Sequence, residues 1–254
     1  MMQGFFSRFR TTANRRKAAE FAALAPAEDF VAVGDIHGCY DLMGRLLDRI
    51  ALRPECGRLV FLGDYIDRGE NSAQVLQALH GLQVSNPEAV CLRGNHEDML
   101  LGFLDDPLGE GPGWLRHGGR QTLASFGIAA VHAGMPDLNW IAARDSLQNR
   151  MGAGLISWIR ALPAYWQTGN VAAVHAGADP ARPLEAQEDY HLAWGHGNFG
   201  RVRRQDGVWI VHGHTIAEEV RAEGGRICVD TGAFATGKLS AVAVRNDGFE
   251  VLTA

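Results

Sequence analysis

Three apolar stretches of the chain each end in a glycine followed by side chains that can bind cations. Asp35 and His37 follow the first stretch, Asp64 follows the second, and Asn95 follows the third. These residues offer oxygen and nitrogen ligands without a thiolate, a set that suits Mn, Fe, Zn or Mg better than softer ions. The sequence therefore predicts a metal centre at one edge of a sheet.

Two later histidines extend this set. His175 and His214 each follow another short apolar stretch. Two carboxylates and four neutral ligands suit two divalent ions that share one carboxylate, and Asp64, on the middle of the first three stretches, is the natural bridge. Two such ions leave the site positive, so it would attract a phosphate dianion, and paired metals activate the attacking water in many phosphoryl-transfer enzymes.

Three further residues beside these ligands can serve phosphoester hydrolysis. His96 can protonate the leaving alkoxide, and Asp67 can orient its imidazole. Arg68 can bind two phosphate oxygens with its planar guanidinium. Taken alone, each of these residues is more often part of an ordinary turn or a buried, hydrogen-bonded side chain than part of a catalytic site. The joint occurrence in this order favours a catalytic site.

The elements that must position these residues alternate between strands and helices in the first half of the chain. Periodic apolar residues predict helices after Asp41 and from Ser72, with another over 97–104. Strands are expected at 30–33, 59–62 and 89–92. Polar side chains at the carboxyl ends of strands are typical of sites in open α/β sheets.

The second half is richer in strands. After a helical middle, with helices expected at 114–126 and 156–162, strands are expected at 171–174, 209–211, 227–229, 239–244 and 249–252. We therefore expect an α/β fold in which two mainly mixed β-sheets pack as a sandwich with flanking helices. Residues 29–254 are expected to form a single domain.

Composition excludes several classes of partner. The chain has 254 residues, a net charge of −5 and 46% hydrophobic residues, which gives no general attraction to nucleic acid. No apolar run approaches the roughly 18 residues of a transmembrane segment. The four cysteines form no CxxC pair, so reduced thiols and a cytoplasmic location are expected.

Residues 1–28 form a separate, basic N-terminal extension. Phenylalanines alternate there with arginines and one lysine, and Glu20 is the only acid among residues 5–21. The simplest interpretation is a basic, partly ordered segment. An amphipathic surface contact through residues 1–21 is the alternative.

Five sequence blocks together resemble one known family. They are GDIHG at 34–38, GDYIDRG at 63–69, GNHE at 94–97, HAG at 175–177 and GHT at 213–215. In this order they resemble the phosphoprotein phosphatase (PPP) family of the calcineurin-like metallophosphoesterases. WLRHGGRQTL at 114–123, Leu-Pro at 162–163 and DTGA at 230–233 make the chain most similar to bacterial members.

The resemblance implies a role for each matching residue. Asp35, His37 and Asp64 would hold the first metal, and Asp64, Asn95, His175 and His214 the second. His96, paired with Asp67, would be the general acid, and Arg68, Asn95 and His96 would contact the substrate phosphate. The cofactors implied are two divalent ions, with Mn first and Fe, Zn, Mg or Ni as alternatives. A metal-bound hydroxide would attack phosphorus in line.

The activity that the resemblance implies is a serine/threonine protein phosphatase acting on phosphoproteins and small phosphoesters. The alternative is a dinucleoside polyphosphate hydrolase, which shares GDIHGCY at 34–40 but typically departs from the Asp-Arg-Gly present here at 67–69. A non-catalytic phosphate-binding regulator is a third interpretation, from a different class. No nucleic-acid partner is expected, and the oligomeric state is left open.

Two histidines depart from the family pattern. His132 lies in a second His-Ala-Gly, but only His175 has the family setting around it, so we interpret His132 as structural. His196 stands where bacterial members have a second phosphate-binding arginine. His196 itself, or Arg201, Arg203 or Arg204 from the next loop, would have to replace it.

Overall fold

The computed structural model describes residues 21–53, 57–129 and 131–254. The basic segment over residues 1–20, which we expect to form most of the N-terminal extension, lies outside this part of the chain. Residues 21–28 are described and lie along one sheet. Leu24 is buried there, the Phe21 ring packs edge-on against Trp209 at 5.2 Å, and Asn170 Nδ2 donates to the Ala23 carbonyl.

The first sheet contains the strand-helix repeats predicted from the sequence. Its strands follow the order β10-β9-β1-β2-β3. β1, β2 and β3 are parallel neighbours, β9 runs antiparallel to β1, and β10 runs antiparallel to β9. The bounds are β1 Phe30–Val33, β2 Arg58–Phe61, β3 Val90–Cys91, β9 Ser240–Arg245 and β10 Gly248–Thr253.

The second sheet follows the order β4-β5-β6-β8-β7. β5, β6 and β8 are parallel. The edge strand β4 runs antiparallel to β5, and the edge strand β7 runs antiparallel to β8. Its strands are β4 Tyr165–Thr168, β5 Val171–Val174, β6 Trp209–His212, β7 Arg221–Glu223 and β8 Arg226–Cys228.

The helices lie outside the two sheets. α1 and α2 follow β1 and β2, α3 follows β3, and α4 to α6 complete the layer on the first sheet. The helices are α1 Tyr40–Ala51, α2 Ser72–Ser85, α3 Asn95–Asp105, α4 Gly111–Trp114, α5 Arg120–Ser125, α6 Asp137–Arg160, α7 Asp189–Trp194 and α8 Ala233–Thr236. A π-helical turn, Leu115–Gly119, joins α4 to α5, and Leu184–Ala186 forms a short 3-10 helix.

Apolar side chains from both sheets meet in a shared core. Ala32, Val60 and Leu62 of the first sheet pack in one buried cluster with Val171 and Val211 of the second. The opposite face of the first sheet packs against its helices in another cluster. This arrangement is the expected α/β sandwich of two mixed sheets with flanking helices.

Several elements differ from the sequence prediction. The helix expected at 114–126 is split by the π-helical turn, because Gly118 has φ 108°. The helix expected at 156–162 begins at Asp137 and is interrupted at Gly152. Asp41 lies in the first turn of α1 rather than at its N-cap, which is Cys39. The edge strands β4 and β7 were not predicted, since both are short and polar and lack an apolar alternation.

Candidate active site

The carboxyl ends of five parallel strands meet at one edge of the sandwich. Asp35 follows β1, Asp64 follows β2 and Asn95 follows β3, while His175 and His214 follow β5 and β6. Both sheets therefore contribute to one site. The convergence arises because each of these strands is parallel to its neighbour in the set and stops at the same level.

The backbone is unusual at the same place. Within the described residues, five that are not glycine have positive φ, and all five were predicted to belong to the site: His37, Asp64, Asp67, Arg68 and His214. Non-glycine residues in this region are uncommon, and such strain clusters at functional sites. The fold thus turns the chain sharply at the end of three strands to aim side chains into one volume.

Asp64 lies at the centre of the cluster. Its Oδ2 is 3.6 Å from His37 Nε2 and 3.8 Å from His96 Nε2, and its Oδ1 is 3.3 Å from His175 Nε2. Two triads have ligand atoms within 4.8 Å of one another: Asp64 with His37 and His96, and Asp64 with His175 and His214. Asp64 belongs to both triads, as expected of a bridging ligand.

Two backbone carbonyls fix the orientation of the imidazoles. His37 Nδ1 lies 2.8 Å from the Ile66 carbonyl oxygen, and His175 Nδ1 lies 2.9 Å from that of Leu62. A carbonyl oxygen only accepts, so each Nδ1 carries the proton and each Nε2 faces Asp64. Metal-binding histidines are commonly oriented in this way.

Asn95 and Asp35 complete the predicted ligand set in different ways. Asn95 Oδ1 lies 2.9 Å from His175 Nε2 and 3.0 Å from His214 Nδ1. Asp35 falls outside both triads. Its carboxylate accepts the backbone N–H of His214 at 2.9 Å, which ties the β1 end to the β6 end.

Buried negative charge accumulates around these residues. Burial and the charge of Asp230 raise the pKa of Asp35 well above its usual range. Burial and the charge of Asp64 raise the pKa of Glu97 to about 7. Burial also raises the pKa of Asp230. Divalent cations would relieve this repulsion, so the residues present fit a metal site.

The pKa values of the histidines in the cluster are shifted in opposite directions. Burial lowers the pKa of His37 to about 3 and that of His214 to about 4. Burial also opposes a charged His175, but the Asp64 carboxylate outweighs it and raises the pKa of His175 to about 10. Without metals, a proton on His175 thus partly neutralises Asp64, and metal binding would displace it.

The dyad of His96 and Asp67 lies beside this cluster. His96 Nδ1 is 2.6 Å from Asp67 Oδ2, and both side chains are buried. Burial opposes the imidazolium, yet the carboxylates of Asp64 and Asp67 raise the pKa of His96. Arg68 Nη2 lies 3.2 Å from His96 Nε2. The histidine and the aspartate that the sequence predicts to form a general-acid pair are therefore in contact, and the guanidinium of Arg68 lies beside them.

Glu97 was part of a quoted motif but had no role in the sequence prediction. It is fully buried, and its carboxylate accepts the backbone N–H groups of Asp64, Tyr65 and Gly94, each at 2.9 Å. Glu97 therefore fixes the turn that presents Asp64. Its position three residues after Gly94, at the start of α3, is the capping-box pattern that could have revealed this role.

The two doubtful histidines lie where they contribute little to this cluster. His132 is exposed on the loop before α6. His196 Nδ1 accepts the N–H of Asn198 at 3.3 Å, and its Nε2 lies 3.9 Å from Asp179 Oδ2. Neither histidine belongs to the triads formed by the described residues.

The arginines considered as replacements for a second phosphate ligand mostly point elsewhere. Arg204 is buried and donates to the carbonyls of Asp179 and Arg182 and to Asp206. Arg203 lies over the Phe21 ring at 5.9 Å. In this structure Arg204 is held by contacts away from the metal-binding cluster, whereas Arg201 and Arg203 are exposed.

A cavity of about 470 Å³ adjoins His214. Its lining includes the aromatic rings of Trp194 and Phe199 and the charged residues Arg221, Arg226 and Glu223. Arg226 Nη1 donates to the Phe199 carbonyl at 2.9 Å. Among the residues that the structure describes, neither arginine forms an ion pair with a carboxylate. This cavity was not predictable from the sequence, since its lining comes from four separate segments of the chain.

Comparison with known proteins agrees with this geometry. A family model described as calcineurin-like phosphoesterase matches residues 29–218. The structure is similar to that of a cold-active protein-tyrosine phosphatase of a psychrophilic Shewanella, with a TM-score of 0.56, 21% identity, and coverage of 91% of this chain and 83% of that one. At this identity the similarity shows the fold alone.

Curated relatives carry two kinds of name. The chain is 33% identical over 150 residues to a symmetrical bis(5'-nucleosyl)-tetraphosphatase of Methylococcus capsulatus, covering 59% of this chain. It spans less than half of that protein, 43% of its length. It is 26% identical over 222 residues to serine/threonine-protein phosphatase 2 of Escherichia coli, covering 82% of this chain and 89% of that protein.

The described helices include none with the length and apolarity needed to cross a membrane.

The family model extends over most of the chain, and the residues it spans include the strand ends that build the site, from Asp35 to His214. This chain therefore belongs to the calcineurin-like phosphoesterase family.

Proposed function

We propose that this chain is a metal-dependent phosphomonoesterase, and specifically a serine/threonine protein phosphatase. The observation that carries the proposal is the His96–Asp67 pair at 2.6 Å, with His96 Nε2 3.8 Å from the central Asp64 and 3.2 Å from Arg68. A proton donor, a cation for phosphate and a carboxylate for metals thus converge on one point. That combination suits cleavage of a phosphoester whose leaving group is a poor one.

Six residues would hold the metals in this proposal. Two divalent ions, with Mn as the first candidate, would activate water and polarise the phosphoryl oxygens when bound. The ligands would be Asp35, His37 and Asp64 for one ion and Asp64, Asn95, His175 and His214 for the other.

The remaining steps belong to the side chains around the metals. His96 would transfer its Nε2 proton to the leaving alkoxide oxygen as the phosphorus–oxygen bond breaks. Asp67 would hold Nδ1 and stabilise the imidazolium before transfer. Arg68 and Asn95 would bind the phosphate oxygens, since the guanidinium and the amide N–H groups are donors.

The intact Asp67-Arg68-Gly69 supports a protein phosphatase. The Escherichia coli relative named as a serine/threonine-protein phosphatase also aligns over nearly its whole length, 89%. The alkoxide of serine or threonine is a poor leaving group, and a positioned acid such as His96 therefore gives the largest benefit.

The test is turnover of a phosphoserine peptide and of p-nitrophenyl phosphate by protein supplied with Mn, Mg or Zn separately. We expect His96→Asn to lower kcat on the peptide by roughly 100-fold or more. Asp64→Asn should abolish activity and weaken metal binding measured by calorimetry. His132→Asn, the matched control in the second His-Ala-Gly, should change neither kcat nor metal binding.

Other results would oppose the proposal. Full activity in Asp64→Asn would contradict a centre built on that residue. Tight phosphate binding without turnover on any phosphoester, whichever metal is supplied, would favour a non-catalytic regulator.

The cavity beside His214 favours a second candidate, a dinucleoside polyphosphate hydrolase. Arg221 and Arg226 line this cavity together with one acid, Glu223, and with the aromatic residues Trp194 and Phe199. Cations without a carboxylate partner in the described chain suit the additional phosphates of such a substrate, and the rings suit its bases. Relatives named as bis(5'-nucleosyl)-tetraphosphatases are in keeping with this candidate.

Substrate competition separates the two candidates. If the dinucleotide is the substrate, kcat/KM on diadenosine tetraphosphate should exceed that on phosphoserine peptides. Arg221→Ala should then raise KM for diadenosine tetraphosphate about tenfold and leave p-nitrophenyl phosphate unaffected. Arg160→Ala, at the end of α6 where the guanidinium pairs with Asp105, is the control. A higher kcat/KM on the peptide would leave the protein phosphatase as the better candidate.

A further inference from the structure

Two side chains of the segment that runs from α4 to α5, Trp114 at the end of α4 and Thr122 within α5, contact the carboxylate of Asp67. Trp114 Nε1 donates to Asp67 Oδ2 at 2.9 Å and lies 3.1 Å from Oδ1. Thr122 Oγ1 donates to Oδ1 at 2.6 Å. Asp67 is fully buried, and these contacts leave Oδ2 directed at His96 Nδ1.

Thr122 also fixes the backbone of the same residue. Its Oγ1 accepts the Asp67 backbone N–H at 2.9 Å, and Ser72 Oγ accepts it at 3.1 Å. The hydroxyl of Thr122 thus contacts both the main chain and the side chain of Asp67. This double contact holds a residue whose φ is 70°, a conformation that a non-glycine residue rarely adopts.

The segment has the shape needed to deliver these groups. The π-helical turn Leu115–Gly119 separates Trp114 from Thr122 and lets both face Asp67. Gly119 is required there, because a Cβ at that position would overlap the Trp114 indole. The Trp114 ring also packs against Phe103 of α3, the helix that carries His96, with 4.9 Å between ring centroids.

We propose that Trp114 and Thr122 are positioning residues for proton transfer, holding Asp67 so that its Oδ2 orients His96. The inference rests on the proposed function, in which His96 protonates the leaving oxygen. Loss of the Thr122 hydroxyl would leave Oδ1 with only the longer contact to Trp114, and loss of the indole N–H would remove a donor from both oxygens. In either case the buried carboxylate of Asp67 would rotate or take up a proton. His96 would then lose the anion that aligns and stabilises its charged form.

Dependence on the leaving group tests this role. Phenyl phosphate releases a poor leaving group that needs a proton, whereas 2,4-dinitrophenyl phosphate releases a stable anion that needs little help. We expect Trp114→Phe and Thr122→Val, assayed as full chains with Mn, to lose roughly tenfold or more in kcat on phenyl phosphate. The loss on 2,4-dinitrophenyl phosphate should stay below about threefold. Thr122→Ser, which keeps the hydroxyl, should restore most of the activity.

Two controls separate this inference from a general structural effect. Trp140→Phe alters another buried indole that packs on Phe103, at 6.2 Å, without touching Asp67, and should affect both substrates equally and weakly. His96→Asn should show the largest difference between the substrates.

The outcomes distinguish two failures. In the first, His96→Asn loses more activity on phenyl phosphate than on 2,4-dinitrophenyl phosphate, but Trp114→Phe and Thr122→Val lose equally on both substrates or not at all. That result would overturn the positioning role alone. A His96→Asn protein that does not discriminate between the substrates would overturn the general acid itself, and the inference with it.

Discussion

The guanidinium of Arg68 contacts His96 at the nitrogen that would donate the proton. Arg68 Nη2 lies 3.2 Å from His96 Nε2, and Arg68 Cζ lies 4.7 Å from the centre of the Phe234 ring. Because an arginine N–H only donates, this contact requires an unprotonated Nε2. A bound phosphate would compete for the same guanidinium. With Arg68 drawn onto phosphate, Nε2 would be free to carry the proton that the carboxylates of Asp64 and Asp67 favour by raising the pKa of His96.

Replacing Arg68 should weaken phosphate binding more than replacing other arginines near the site. We expect Arg68→Ala to raise the competitive inhibition constant of inorganic phosphate at least tenfold, since a charge-assisted pair contributes about 1.5–3 kcal/mol. Arg68→Lys should recover only part of this, because an ammonium lacks the planar fork. The measurement is inhibition of p-nitrophenyl phosphate turnover, with Arg160→Ala, whose guanidinium pairs with Asp105, as control. An unchanged constant in Arg68→Ala would assign phosphate binding to another cation.

Cys228 should be unreactive near neutral pH even though it lines the cavity. Burial raises the pKa of its thiol to about 11, so the reactive thiolate is scarce in the folded protein at pH 8. Alkylation of Cys228 by iodoacetamide should therefore be slower in the folded chain than in urea, and its rate should rise about tenfold per pH unit from pH 8 to 10. Mass spectrometry of the labelled peptide measures this. Equal rates in the folded and unfolded chains would contradict it.

Strand ends that carry polar residues were predictable, whereas contacts between distant elements were not. Apolar runs ending in Gly-Asp located β1, β2 and the site residues, since the pattern is local. The partners of Asp67 lie 47 and 55 residues away, at Trp114 and Thr122, and no periodicity connects them. The same reason explains why Arg221 and Arg226 were overlooked.

The turn between α4 and α5 depends on Gly118. Its φ is 108°, and a Cβ there would lie 2.5 Å from Arg68 N. Gly118→Ala should therefore destabilise the protein by roughly 1–3 kcal/mol in urea unfolding and lower activity by displacing Arg68. Gly113→Ala is the matched control, because the nearest atom to its Cβ would be 3.9 Å away. A stability of Gly118→Ala equal to that of Gly113→Ala would contradict this account.

The shared core of the two sheets holds the halves of the site together. Asp64 comes from the first sheet and His175 from the second, so their 3.3 Å separation depends on how the sheets pack. The sandwich was predictable in outline, because apolar strands recur in both halves of the chain. The order of strands in each sheet was not, since it is set by pairing over long sequence separations.

Truncating a side chain in this core should cost stability and disturb the site together. Leu62 is fully buried between the sheets, and its carbonyl accepts the proton of His175 Nδ1. Leu62→Ala should lower the free energy of unfolding by about 2–5 kcal/mol in urea. Leu52→Ala should cost little, because Leu52 is 83% exposed. Similar midpoints for the two variants would show that the shared core contributes less than its burial implies.

Five residues of the site have left-handed backbone conformations that destabilise the fold. Selection for heat resistance and selection for activity should therefore favour different residues at these positions. Each costs on the order of 1–2 kcal/mol relative to glycine in the same conformation. Together this is comparable with the net stability of an ordinary domain, about 5–15 kcal/mol. Variants chosen from a random library only for survival on heating should therefore accumulate glycine at the half-buried left-handed positions, Arg68 and His214. A library screened for activity as well should retain the present residues and gain its heat resistance elsewhere in the chain.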